Sequence, residues 1–104
     1  MKKYKVKGKV WLYPGHSTWH FFTIPPEIFI DIRKKFKDLQ HGWGSIPTEV
    51  KCGKTIWKTS LFPNVKDGVY YLILKKSVRK AEGIQDGDSI DIVLTLGTIM
   101  KNTK

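Results

Sequence analysis

The order strand, strand, helix, strand can be read twice along this chain, and that duplication limits its possible folds more than any other feature. In the first half, Tyr4, Val6, Gly8, Val10 and Leu12 fall on one face of an alternating stretch. Lys3, Lys5, Lys7 and Lys9 fall on the other. A period of two argues for a half-buried strand over residues 4–13. Pro14-Gly15-His16-Ser17 reads as a turn, and residues 18–24 return as an aromatic and β-branched strand. Pro25-Pro26-Glu27 opens a helix whose apolar stripe is Ile28, Phe29, Ile32, Phe36 and Leu39. Glu27 and Asp31 come early and Arg33, Lys34, Lys35 and Lys37 late, as the helix dipole favours. Gly42 is expected to end the helix. A strand over residues 45–52 follows, in which Pro47 implies an edge or a bulge.

The second half repeats the order. Cys52-Gly53-Lys54-Thr55 suits a tight hairpin with glycine at its first central position. A strand over residues 55–61, a loop over 63–68 and a strongly apolar strand over 69–74 are expected next. A short helix over 76–82 follows, with Ser77 as its cap and Gly83 as its stop. Asp86-Gly87-Asp88 turns the chain into a strand over 89–96, whose Ile90, Ile92, Leu94 and Leu96 face the core. Residues 98–104 are expected to fray.

A chain of 104 residues is expected to form a single domain over residues 1–104, with pseudo-repeat halves of about 1–52 and 53–104. Each half is too small to bury its own apolar face comfortably. Two β-β-α-β units interlocked into one closed barrel would hide their sheet edges. The expectation is therefore a mainly β, monomeric barrel of pseudo-twofold symmetry with two short-to-medium helices.

The charge is lopsided. Nineteen Lys and Arg face nine Asp and Glu, a net charge of +10. Such a surface attracts polyanions, whether nucleic acid, an acidic protein or an anionic lipid face. No apolar run reaches the ~18 residues that a membrane-spanning helix needs, so no membrane partner is expected. The N-terminus lacks the apolar region of a signal peptide, and a lone cysteine, Cys52, cannot form an internal disulfide. Both features point to the cytoplasm.

Three blocks carry a family likeness. Gly42-Trp43-Gly44-Ser45-Ile46-Pro47, Trp57-Lys58-Thr59-Ser60-Leu61-Phe62-Pro63, and Ser77 to Gly83 with Gly87-Asp88 resemble the bacterial domain of unknown function DUF1905. Trp19-His20-Phe21 resembles that family's early strand. One departure is Ile73-Leu74, where the family pattern often has a proline. The resemblance implies a double-split β-barrel, akin to the swapped-hairpin DNA-binding domains of the AbrB, MazE and MraZ type. Two short chains usually supply the halves in those regulators, whereas one chain would carry both here. The family has no assigned activity, so the resemblance implies a fold and no function.

Candidate sites are each weighed against a plainer account. The row Lys3, Lys5, Lys7, Lys9 places ammonium groups about 6.8 Å apart along one strand face. That spacing is close to the phosphate repeat of a nucleic-acid strand, and Trp11 and Tyr13 continue the same face. The stripe suits a polyanion backbone with a stacked base, or an edge strand charged against aggregation. Lys75, Lys76, Arg79 and Lys80 form a second basic cluster around the short helix, either an anion site or solvated helix surface. Trp19, Trp43, Trp57 and Phe62 with Lys58, Thr59 and Ser60 suit a small-ligand pocket or protein-interaction module, or simply a core. Asp86 and Asp88 flank a glycine and read as a turn.

Catalysis has little support. No G-x-S-x-G elbow accompanies Cys52, Ser60, His20 or His41, and His16, His20 and His41 lack zinc-ligand spacing. Gly53-Lys54-Thr55 lacks the leading glycine of a phosphate loop, since Thr48 stands in its place. Gly42-Trp43-Gly44 lacks the third glycine of a dinucleotide loop. No catalytic residue, metal ligand or cofactor is expected. The leading expectation is a small non-enzymatic binding domain with nucleic acid as partner. Its alternative is a small-ligand or protein-interaction module built around Trp43, Trp57 and Phe62.

Overall fold

The computed structural model describes residues 2–15, 19–40 and 44–97. Its elements are β1 (Lys2–Leu12), β2 (His20–Ile24), α1 (Pro26–Lys35), a 3-10 turn (Lys37–Leu39), β3 (Ile46–Cys52), β4 (Thr55–Asn64), β5 (Val69–Ile73), α2 (Lys76–Glu82) and β6 (Ser89–Leu96). The strands close into an antiparallel barrel in the order β1-β2-β5-β4-β3-β6. Alternation along each strand decides what lies inside. Val10, Phe22, Ile24, Ile46, Val50, Leu61, Leu72 and Leu94 are removed from water in the interior. Burial of each such side chain is worth about 1.5–3 kcal/mol before the entropy of ordering it.

β1 and β4 are the long strands, and each belongs to two sheets. Residues 2–9 of β1 pair with β6, and residues 10–12 pair with β2. Residues 55–61 of β4 pair with β3, and residues 62–64 pair with β5. The wall therefore has two outer faces, one over β1-β6-β3-β4 and one over β1-β2-β5-β4. Near the crossing of β1 the Phe22 ring lies close over Gly8. A Cβ at Gly8 would stand 3.1 Å from that ring.

Several local expectations need correction. The loop expected from residue 63 begins later, because β4 runs on through Pro63 and Asn64, opposite Tyr70 and Val69. Proline is accommodated there because that stretch pairs with β5 alone. Pro47 likewise sits where β3 pairs with β4 but not with β6. α1 stops at Lys35, well before Gly42, with Phe36 leaving helical geometry at φ −124°. The 3-10 turn that follows keeps Phe36 and Leu39 packed on the interior. Ser77 is no cap: Lys75 takes that position in extended geometry, and Ser77 lies inside α2. Gly83 does end α2, at φ +65°. Gly42 and the tail 98–104 lie outside the described residues, as do Trp43, His16 and His41.

Each helix is tied to a long strand by a carboxylate. Asp31 of α1 accepts a hydrogen bond from the Tyr4 hydroxyl at 2.6 Å, and Lys35 Nζ lies 3.1 Å from it. Glu82 of α2 accepts from Thr55 Oγ1 at 2.6 Å and from the Lys54 amide at 3.2 Å. The Tyr4 hydroxyl and Lys35 together hold the Asp31 carboxyl below its ordinary range.

Candidate functional site

On the face formed by β1, β6, β3 and β4, cross-strand register decides which charges become neighbours. Lys3, Lys5, Lys7 and Lys9 point outward and are exposed, while Tyr4, Val6 and Val10 between them are buried. Lys5 stands opposite Val93, and Val93 stands opposite Lys51 on its other side. Lys7 stands opposite Asp91. Lys58 is directly across from Glu49. Six lysines thus share the face with two carboxylates. Lys5, Lys7, Lys51 and Asp91 border a shallow depression of about 310 Å³ floored in part by Val93. Among the described residues, none of the six lysines has an ion-pair partner within 4 Å. Flexible ammonium groups around a shallow apolar floor can follow an anionic chain without fixing its sequence.

The second basic cluster is separate. Lys76 and Lys80 are exposed on α2 and Lys75 just before it, and a different depression is lined in part by Lys76, Arg79 and Lys80. Arg79 is half-buried, and its Nε donates to the Leu74 carbonyl at 3.1 Å, tying α2 to the end of β5. Neither depression is lined by residues of both clusters.

The face formed by β1, β2, β5 and β4 has a different character. Trp11 lies opposite Phe21, Phe21 opposite Ile73, and Phe62 opposite Tyr71. Trp11 meets Phe21 and Tyr71 edge-on at 5.2 and 5.3 Å between ring centroids. Trp19 lies nearly parallel to Phe21, 11° apart at 6.3 Å, and Tyr13 sits 5.0 Å from Phe21. The polar ends of two rings are anchored. Trp11 Nε1 donates to Thr23 Oγ1 at 2.9 Å, and Asn64 Nδ2 donates to the Tyr71 hydroxyl at 2.8 Å. Phe21 is covered by its neighbours, whereas Trp19 remains 48% exposed and Tyr13 37%.

Among the described residues of the expected pocket, Trp19, Trp57 and Phe62 do not share one face, and Trp43 lies outside them. Strand pleating sends Trp57, Thr59 and Leu61 inward and Lys58, Ser60 and Phe62 outward, because Leu61 is fully buried and its neighbours alternate. Trp57 packs against the interior cluster. Trp19 belongs to the aromatic face with Tyr13 and Phe21. The block is a wall strand, with its two outermost aromatics on opposite sides of the wall. Register also reveals residues that sequence reasoning missed. Lys51 joins the lysine face through its place across from Val93, and Tyr71 and Phe21 join the aromatic face.

The remaining reactive groups have structural settings. Burial, with Glu82 and Asp91 nearby, pushes the Cys52 thiol up and away from the thiolate. Asp88 accepts from the Gln85 amide at 2.8 Å, as a turn residue does. Among the described residues no group of three His, Cys, Asp or Glu side chains could hold a metal ion, and no helix is long and apolar enough to cross a membrane.

Residues 7–94 match the family model of the domain of unknown function DUF1905, and the chain belongs to that family. No match is found among curated proteins.

Proposed function

We propose that this DUF1905 domain is a small non-enzymatic nucleic-acid-binding barrel that holds a polyanion backbone on its lysine face. The observation that carries this reading is the cross-strand grouping of Lys5, Lys7 and Lys51 around Val93, within a face of six lysines and two carboxylates. The net charge of +10 steers any polyanion toward the protein from a distance. The short helix α2 contributes less, because Arg79 is committed to the Leu74 carbonyl.

The architecture belongs to the same proposal. Exchanging β1 with β4, β2 with β5 and β3 with β6 leaves the order β1-β2-β5-β4-β3-β6 unchanged, apart from direction. The carboxylate ties Tyr4–Asp31 and Thr55–Glu82 also correspond under that exchange. These correspondences support a double-split barrel whose two β-β-α-β halves lie in one chain, and hence a monomer. A lone, buried Cys52 suits the reducing cytoplasm.

Filter binding to mixed-sequence DNA and RNA tests the function. Three or four phosphate contacts predict a roughly forty- to hundred-and-fifty-fold loss of duplex affinity, and a roughly twenty- to fiftyfold loss of single-strand affinity, between about 50 and 200 mM salt. Affinity that is absent at the lower salt, or indifferent to added salt, contradicts the reading.

A further inference from the structure

We infer that the aromatic face is a stacking platform for unpaired bases, so that the domain prefers single-stranded nucleic acid over duplex. The inference rests on the polyanion reading above and adds to it which form of nucleic acid is bound and where the bases go. Its first support is continuity. β1 is one uninterrupted strand whose outward side chains run Lys3, Lys5, Lys7, Lys9 and then Trp11, with Tyr13 just past its end and its ring 6.2 Å from that of Trp11. A chain whose phosphates follow the lysines is therefore led onto the aromatic face with no change of strand. Alternate residues advance about 6.8 Å, which suits one extended nucleotide per outward side chain.

The second support is the geometry of the rings. Phe21 forms a buried base on which Trp19 and Tyr13 rest, and these two keep much of their surface open to water. Hydrogen bonds from Trp11 to Thr23 and from Asn64 to Tyr71 hold the adjoining rings in place. A ring already fixed loses little entropy when a base stacks on it. Phe62 and Ile73, 38% and 37% exposed, extend the apolar surface beside Tyr71 and Phe21.

The third support is charge. The outward strand side chains that make up this face are uncharged, with Asp67 held at its rim by Asn64, and the outward row Lys3 to Lys9 that leads to it along β1 is cationic. An apolar partner surface rimmed by carboxylates would fit the lysines, but a nucleic acid supplies both requirements in one molecule: a phosphate every nucleotide and a flat ring beside it. Duplex hides its base faces within the stack, and a broad wall cannot enter a groove to reach them. Single strands present those faces directly.

The test compares a fluorescein-labelled mixed-sequence single strand with the blunt duplex of the same sequence, by anisotropy at low salt. Wild-type protein is expected to bind the single strand more tightly and to show quenched tryptophan fluorescence on binding. Trp19→Ala is expected to weaken single-strand binding by roughly five- to hundred-and-fifty-fold, the range for loss of one stacked base. Its duplex affinity is expected to stay unchanged, and Trp19→Phe to recover part of the loss. Should Trp19→Ala melt below assay temperature, Tyr13→Ala gives the same comparison. Equal binding of both forms, with Trp19→Ala indifferent, overturns the platform and leaves the polyanion reading intact. Binding of neither form by wild type overturns both. Self-association that Trp19→Ala abolishes, seen by light scattering with no single-strand preference, assigns the face to a second copy and overturns the inference.

Discussion

The two outer faces of the barrel share β1 and β4, yet one carries lysines and the other aromatic rings. On the first, Lys5, Lys7 and Lys51 gather around Val93; on the second, Trp11, Trp19 and Tyr13 gather around Phe21. The interior behind both is the same continuous apolar cluster, from Tyr4 and Val6 to Leu94 and Leu96. The difference teaches that the pleat separates two tasks. Inward residues make one fold, while outward residues of the same strands are free to specialise by region. The crossing of β1 from β6 to β2, with Gly8 beneath the Phe22 ring, joins the two regions.

The largest effect is expected where the two faces depend on each other. Leu94 is fully buried behind the lysine face, and Leu94→Ala should cost about 2–5 kcal/mol through lost burial and the cavity left behind. Urea denaturation should show a lowered midpoint. The near-ultraviolet dichroism of the aromatic face should vanish in the same transition as the backbone signal. Separate transitions would mean that the faces fold independently.

A substitution confined to the lysine face should separate binding from stability. Replacing Lys5, Lys7 and Lys51 together by glutamine should reduce the slope of log affinity against log salt by about 2 on single strands. The denaturation midpoint should hardly move, because these side chains are exposed. Lys76→Gln with Lys80→Gln should leave the slope nearly unchanged; an equal reduction would move the binding surface to α2.

On the aromatic face, Trp11→Phe keeps a ring but deletes the hydrogen bond to Thr23. It should cost about 0.5–1.5 kcal/mol in thermal or urea unfolding and leave the salt slope as it is. The smallest effect concerns pH. Asp31 has a folded-state pKa lowered by the Tyr4 hydroxyl and Lys35. Its contribution to stability is therefore full above the ordinary aspartate value of about 3.9 and is lost as pH falls through the lower folded value. Tyr4→Phe should destabilise slightly at neutral pH, and the gap to wild type should close in acid. A gap constant down to pH ~2 would remove this pair from the acid response.

Much of the fold was legible in the residues because alternation is local. Lys3 to Lys9 against Tyr4 to Val10, the twin prolines before α1, and Gly83 after α2 all act within a few positions. What escaped depends on distant chain segments meeting. Pro63 looked like the start of a loop because nothing nearby indicates that Tyr70 will stand across from it. Lys51 was invisible as a partner of Lys5 because strand register, set by the whole barrel, puts Val93 between them. Trp57 and Phe62 read as walls of one pocket, but five positions along a strand is an odd number and sends them to opposite sides. The aromatic face draws on β1, β2, β5 and β4, so no single stretch contains its pattern.

Backbone amide chemical shifts of the labelled protein, recorded as a mixed-sequence single-stranded oligonucleotide is added, test the central claim most directly. The account predicts that the largest changes run along β1 from Lys3 to Trp11 and on to Tyr13, with companions at Lys51, Val93 and Trp19. Changes concentrated on α2 around Lys76 to Lys80, or no changes at any residue, would contradict it.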